Sequence, residues 1–315
     1  MPLRVVFFGT PGFAVPTLER LIHSRHPVVG VVTQPDRPRG RGQQVTDGPV
    51  KTLAASMKLP ILQPERLARE IFEPQLASLE ADIGVVAAYG KILPDWLLAA
   101  IPRGLINVHA SLLPRYRGAS PVHRAVIAGD QNTGVTIMRV VKALDAGPML
   151  ANATVPIGPD DTTPIVESLL AIQGADLLVR TLDAIEEGTA IETPQDDSLA
   201  TYAPKLTKEE GVVDWSRPAP HLHNLIRGLW PWPHASTHLS NRRYILHRSR
   251  LSSIDHEGEP GEIIRASVIG GLHVACGTST ALELLDLQLE GKRVMSARDA
   301  MASKALTTGA RFSSP

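Results

Sequence analysis

A chain of 315 residues, 43% hydrophobic and 20% charged, has room for about two domains of ~150 residues, each able to bury its own core. Its 32 Lys and Arg balance 32 Asp and Glu, so overall charge points to no polyanionic partner, and a single cysteine, Cys276, excludes an internal disulfide framework and a cysteine-based metal site. No apolar run approaches the roughly 20 residues of a membrane span, and Met1-Pro-Leu-Arg4 leads into a strand pattern instead of a signal peptide, so the cytoplasm is the expected compartment.

Taken in order, Arg4 to Phe8 predicts a buried strand, Gly9-Thr-Pro-Gly12 a turn, and Val15 to Ile22 an amphipathic helix. This is a Rossmann-like opening without the G-x-G-x-x-G fingerprint. With no acidic ribose ligand after the second strand, Val28 to Val32, it argues against a nicotinamide dehydrogenase. Gln34 to Gln44 is crowded with Pro, Gly and Arg and reads as a long, exposed, basic loop. Beyond it the pattern predicts helix Pro49 to Met57, strand Pro60 to Leu62, helix Glu65 to Leu79, strand Asp82 to Ala88 and helix Pro94 to Ala100. Such alternation implies an α/β fold with a mostly parallel sheet and helices on both faces.

Polar chemistry concentrates in Leu105-Ile-Asn-Val-His-Ala-Ser-Leu-Leu-Pro-Arg-Tyr-Arg-Gly118. Leu105, Ile106 and Val108 give a buried strand, and Asn107 and His109, two residues apart, share one face of it. Pro114 then ends the ladder, Gly118 permits a turn, and Ser120-Pro121 has the form of a helix start. The pair therefore sits at the carboxyl end of a strand, the edge where open α/β sheets bind ligands. A His at a strand end is often only a hydrogen-bonded structural residue. The next strand, Thr133 to Val140, is followed by Leu144-Asp145-Ala-Gly147, a turn able to bring a carboxylate beside the imidazole.

Met149 to Ile157 reads as an edge strand, and Thr163-Pro164 opens a helix that ends near Gly188 and is open to a break at Gly174. Residues 190–206 are polar, hold Pro194 and Asp196-Asp197, and suit a linker between a domain 1–189 and a domain 207–315. In the second domain a helix, Ala219 to Leu229, precedes short strands at Arg243 to Arg250, Gly261 to Ala266, His273 to Ala275 and Ala281 to Leu289, which read as a small barrel. Ser296-Ala-Arg-Asp299 has the form of a capping box. Charge is uneven: residues 151–200 hold ten acids and one base, whereas 203–250 hold eight Lys or Arg against three acids. That asymmetry fits either a basic surface facing nucleic acid or a solvated, charge-balanced fold.

Asn107-Val-His109, Ser111-Leu-Leu-Pro114, Arg117-Gly118 and Asp145-x-Gly147 together resemble the signature of formyltransferases that use 10-formyltetrahydrofolate. Phe8-Gly-Thr-Pro11, Thr33-Gln-Pro-Asp-Arg37, Ala88-Tyr-Gly90, Gly134-Val-Thr-Ile-Met138 and Lys205-Leu-x-Lys-Glu-Glu210 are similar to the methionyl-tRNA formyltransferase family along the whole chain. Ala110 departs from the Gly found in many relatives, which raises a question about the backbone there. The resemblance implies a Rossmann-like catalytic domain followed by an OB-like β-barrel that helps hold tRNA, 10-formyltetrahydrofolate as co-substrate, no metal, methionyl-initiator tRNA as partner, and a monomer.

It further implies Asn107, His109 and Asp145 as catalytic residues: Asn107 donating to an oxyanion, Asp145 orienting His109 and raising its pKa. His109 would either move the proton or, if charged, add to the oxyanion site. Ser111, Leu112, Leu113 and Pro114 would lie against the folate, Phe13 near the methionyl side chain, and Arg37, Arg39 and Arg41 on the acceptor end of the tRNA. Because the leucines also suit a core, and the arginines a solvated loop, these last assignments rest on the resemblance.

Overall fold

The computed structural model describes residues 1–39, 44–302 and 305–313. Its contacts divide the chain into two compact units, one of 1–118, 132–156 and 167–202, the other of 119–131, 157–166 and 203–315. Segments 119–131 and 157–166, which lie inside the expected first domain, thus cluster with the second unit.

The first unit is built on seven strands: β1 (Val5–Gly9), β2 (Val28–Val32), β3 (Ile61–Leu62), β4 (Ile83–Ala87), β5 (Leu105–His109), β6 (Asn132–Arg139) and β7 (Met149–Pro156). They lie in the order β7-β6-β5-β4-β1-β2-β3. β3, β2, β1, β4 and β5 are parallel, while β6 and β7 run antiparallel at one side. The parallel part has the 3-2-1-4-5 order of a doubly wound sheet, with its switch point between β1 and β4. Val5 to Phe8 are fully buried, as a strand covered on both faces requires. On one face Val6, Phe8, Val32 and Leu105 pack with Phe72 and Leu76 of α3 (Arg69–Ala77) and Leu97 of α4 (Asp95–Ala100). Asn107 and His109 share the Leu105 face by strand alternation.

The other face meets α6 (Thr163–Glu187), which runs unbroken through Gly174. A Cβ at Gly174 would lie 2.8 Å from Val108 and 3.1 Å from Val135, so this glycine provides close helix-to-sheet contact and no break.

The second unit holds an antiparallel sheet of β8 (Ala235–Leu239), β9 (Arg242–Ser252), β10 (Ile263–Ser267), β11 (Gly271–Cys276) and β12 (Thr280–Leu289), in the order β8-β9-β12-β11-β10. The pattern reading omitted β8, whose Ala-Ser-Thr-His-Leu has little apolar alternation and follows two Trp-Pro pairs. Residues 309–313 carry backbone hydrogen bonding from β10 toward β8: the Phe312 amide donates to Gly261, and Ser313 exchanges bonds with His238. Leu222 and Ile226 of α7 (Ala219–Gly228) join the strand side chains in its core. The Ser296 hydroxyl accepts from the Asp299 amide, capping Ala297–Met301.

Candidate active site

β5 delivers the first two groups. Asn107 pairs with Val86 on one side and Met138 on the other, and His109 pairs with Thr136, so central strands on both sides fix their Cα positions. His109 is buried, its residue 5% exposed. Its Nε2 lies 3.0 Å from the Tyr116 carbonyl, and since that oxygen only accepts, Nε2 carries the donated proton. Nδ1 then faces Asp145, whose Oδ2 stands 3.7 Å away, within ion-pair range and beyond a hydrogen bond. Asp145 occupies the left-handed region at φ +48° and accepts from the Gly118 amide at 2.8 Å. The partly buried Asn107 amide has no hydrogen-bond partner among the described residues. The structure thus brings the three expected catalytic residues to one strand end. Ala110 is not among the positive-φ residues, so its Cβ meets no backbone penalty.

The loop after β5 is pinned from within. The fully buried Ser111 hydroxyl donates to the Arg115 carbonyl at 2.6 Å, and its own carbonyl accepts from Thr136 Oγ1 at 2.7 Å. Leu113 is buried too, its amide donating to the same Thr136 oxygen at 3.2 Å. Leu112 and Pro114 are only partly buried. Leu112 lies over Gly134, where a Cβ would come within 2.4 Å of it. Of the four expected folate contacts, Leu112 and Pro114 therefore offer side-chain surface, whereas Ser111 and Leu113 shape the loop.

A further set of residues holds the Asp145 turn and went unassigned in the sequence reading. Arg117, 4% exposed, donates from Nε and Nη2 to Gln195 Oε1 at 3.0 and 2.8 Å and from Nη2 to Asp197 Oδ1 at 2.7 Å. Gln195 Nε2 in turn donates to the carbonyls of Asp145 and Gly147, both at 2.8 Å. Thr193 pairs with Met149, and Thr201 accepts from the amides of Arg117 and Tyr116. Residues 193–201, expected as linker, thus form a wall of this loop cluster. Their polarity reads as solvation in sequence, and only an arginine within a signature loop hints that acceptors must lie opposite.

At the switch point, Gln34 Nε2 donates to the Tyr89 carbonyl at 2.8 Å and the Gln34 amide to Thr10 Oγ1 at 3.3 Å, tying the ends of β1, β2 and β4 together. Burial pushes the Tyr89 phenol up to about 12, so it stays protonated at neutral pH. Arg37 is exposed at the start of the basic loop. It lies near enough to Lys91 to add, after burial, to lowering that ammonium's pKa. The backbone of Arg39 pairs with Gln44, and Arg41 lies outside the described residues. Phe13 sits partly buried in the short turn Gly12–Ala14. The potential ligands His26, Asp183 and Glu186 are elsewhere and already engaged: Asp183 and Glu186 pair with Arg25, Glu186 with the Met1 ammonium, and His26 Nδ1 accepts from the Leu3 amide.

Comparison with known proteins gives a consistent set of relatives. Residues 3–182 match the family model described as formyl transferase, and 205–305 match the formyl transferase C-terminal domain. The chain is 46% identical over 311 residues, 98% of each chain, to a methionyl-tRNA formyltransferase of Geotalea daltonii. It is 44% identical to one of Solibacter usitatus, over 97% of each. Among solved structures, an N-formyltransferase from Helicobacter canadensis in complex with folinic acid and dTDP-3-aminofucose shares the fold, with a TM-score of 0.65 at 15% identity over 90% of this chain and 98% of that one.

Proposed function

This chain belongs to the methionyl-tRNA formyltransferase family, and from that premise we infer how its residues divide the work. The reaction moves the formyl group of 10-formyltetrahydrofolate to the α-amine of methionyl-initiator tRNA, giving formylmethionyl-tRNA and tetrahydrofolate. The observation that carries the assignment of roles is the meeting of Asn107, His109 and Asp145 at the end of β5.

As the amine attacks the formyl carbon, the formyl oxygen gains negative charge. The unpartnered Asn107 amide donates to it, a contact that in other acyl-transfer sites is worth about 2.7–4 kcal/mol of the barrier. The surplus amine proton passes to His109. Nε2 is committed to Tyr116, so Nδ1 receives it, against Asp145. As the oxyanion collapses, the formyl C–N10 bond of the folate breaks and N10 takes a proton back from the imidazolium, releasing tetrahydrofolate. An aminoacyl amine with a reference pKa near or below about 7.7–8.0 is partly neutral at pH 7, so a strong base is unnecessary.

The site suits the folate co-substrate because a free amide donor lies next to a loop that leaves Leu112 and Pro114 partly open. We assign the folate to Ser111-Leu-Leu-Pro114, through backbone and those two side chains. Residues 1–189 carry catalysis, 190–206 form the crossing and buttress the Asp145 turn, and 207–315 hold tRNA. Arg37, Arg39 and Arg41 contact its acceptor end. The enzyme works as a monomer in the cytoplasm; no helix among the described residues is long and apolar enough to cross a membrane.

The test offers labelled formyl-folate with charged initiator tRNA or a small amine. Formylation of methionyl-tRNA alone is expected, with kcat in Asn107→Ala lower by roughly a hundredfold or more. Equal kcat/KM for the small amine would overturn the substrate assignment. Wild-type kcat in Asn107→Ala would remove the oxyanion role.

A further inference from the structure

The four tyrosines of the chain have different surroundings. Tyr89 and Tyr244 are buried, and the ring of the partly buried Tyr116 has the Arg115 guanidinium over it, its carbon 5.0 Å from the ring centroid. Tyr202 is 67% exposed, and among the described residues no hydrogen-bond, ion-pair or ring partner meets its side chain. An open aromatic ring leaves in water a flat apolar area that a flat ligand can cover.

The backbone that presents this ring is fixed by the residue before it. Thr201 makes three hydrogen bonds to the loop after β5: its amide donates to the Pro114 carbonyl at 3.3 Å, its Oγ1 accepts from the Tyr116 amide at 2.9 Å, and its carbonyl accepts from the Arg117 amide at 2.8 Å. The Tyr116 carbonyl accepts from His109 Nε2, and the Gly118 amide, next after Arg117, donates to Asp145. Tyr202 thus follows directly on the residue that ties down the loop engaging both catalytic side chains. The formyl transfer itself makes no use of its phenol.

The substrate brings a flat group to this part of the molecule. In methionyl-tRNA an ester joins the methionyl group to the ribose of the 3′-terminal nucleoside, so an amine beside Asn107 and His109 carries a base with it on a short tether. Stacking of a base on an aromatic ring needs no particular base edge and removes water from both faces. Arg115, exposed on the same loop, adds positive charge suited to a polyanion.

We propose that Tyr202 is the stacking platform for the base of the 3′-terminal nucleoside of methionyl-tRNA, holding the ester so that the amine meets the end of β5. This deepens the assignment of methionyl-tRNA as substrate and rests on it.

The experiment uses the full chain with Tyr202→Phe, Tyr202→Ala and Tyr202→Leu. It reads KM and kcat with methionyl-initiator tRNA, Kd for tetrahydrofolate, and the inhibition constants of two uncharged tRNAs, one intact and one whose terminal nucleotide lacks its base. Tyr202→Ala should raise KM for methionyl-tRNA about tenfold with the folate Kd within about twofold of wild type, while Tyr202→Phe stays within about twofold of wild type throughout. In the wild type, loss of the base should weaken inhibition about tenfold. In Tyr202→Ala the two tRNAs should inhibit within about twofold of each other, because the partner of the base is already gone. A loop that is merely loosened would lower affinity for both tRNAs alike and keep the wild-type ratio, so a preserved ratio overturns the platform. Tyr202→Phe behaving like Tyr202→Ala overturns it as well. Tyr202→Leu, apolar but without a π-face, should bring the ratio below about threefold and carries the comparison if Tyr202→Ala does not fold. Failure of the wild type to formylate methionyl-tRNA would instead defeat the substrate assignment, and the platform with it.

Discussion

Arg117 of the catalytic unit is 4% exposed and gives three hydrogen bonds to Gln195 and Asp197, whereas Arg243, Arg248 and Arg250 of the C-terminal sheet have side chains 38%, 66% and 62% exposed. These three also have partners: Glu290 just past the end of β12, and Asp286 and Glu283 on it, at 2.9, 3.1 and 2.5 Å. Similar contacts carry different weight because of water. Removing the buried donor leaves the partly buried Gln195 oxygen short of a partner, at about 1–3 kcal/mol, although Asp197, 82% exposed, is rehydrated; an exposed pair is worth about 0.2–1 kcal/mol. The difference also bears on charge. The excess of five bases in 203–250 is partly met by acids on the partner strand, and over 203–315 there are 14 Lys or Arg against 11 Asp or Glu, an excess of three. A linear count therefore overstates how basic the C-terminal part of the chain is.

The largest effect that would sharpen this contrast is expected at Arg117. Arg117→Ala should leave the partly buried Gln195 oxygen without its donor, loosen the Asp145 turn, lower stability by about 1–3 kcal/mol in urea unfolding and reduce kcat by roughly ten- to a hundredfold. Lys at this position should not rescue it, because one ammonium cannot reproduce donation from both Nε and Nη2. If Arg117→Ala keeps kcat, the buried network is structural only.

Gly174→Ala comes next. Its Cβ would press on Val108, between Asn107 and His109, and on Val135, so a loss of about 1–3 kcal/mol is expected. An unchanged urea midpoint would mean that the helix shifts away freely.

The smallest effects belong to the sheet. A double-mutant cycle on Arg250 and Glu283 should give a coupling of no more than about 1 kcal/mol, against about 1.5–3 kcal/mol for Arg117 and Gln195. Arg248→Ala and Arg250→Ala should each change the slope of log Kd for tRNA against log salt by less than about one. A drop of about one for either would break the comparison, since that arginine would then release its carboxylate to bind phosphate.

The sequence by itself determined the elements whose signal is local. Apolar runs marked β1, β2 and β4 to within a residue or two, because a strand covered on both faces has no polar position to blur it, and Leu105, Ile106 and Val108 marked β5 despite Asn107 and His109. Two-residue alternation put Asn107 and His109 on one face before any fold was known. Asp145 was legible as a carboxylate on a turn, and its role came from the resemblance. Tertiary structure decided what depends on residues far apart in the chain. Gln195 and Asp197 became the support of Asp145 only when residues 193–201 folded against a loop some 80 positions earlier. Gly174 was a helix breaker by propensity and a contact glycine by packing, because the need for a missing Cβ is set by Val108 and Val135 and not by its neighbours in sequence. Local propensity and periodicity are properties of a few adjacent residues, whereas burial and ion pairing are created by what the fold brings opposite.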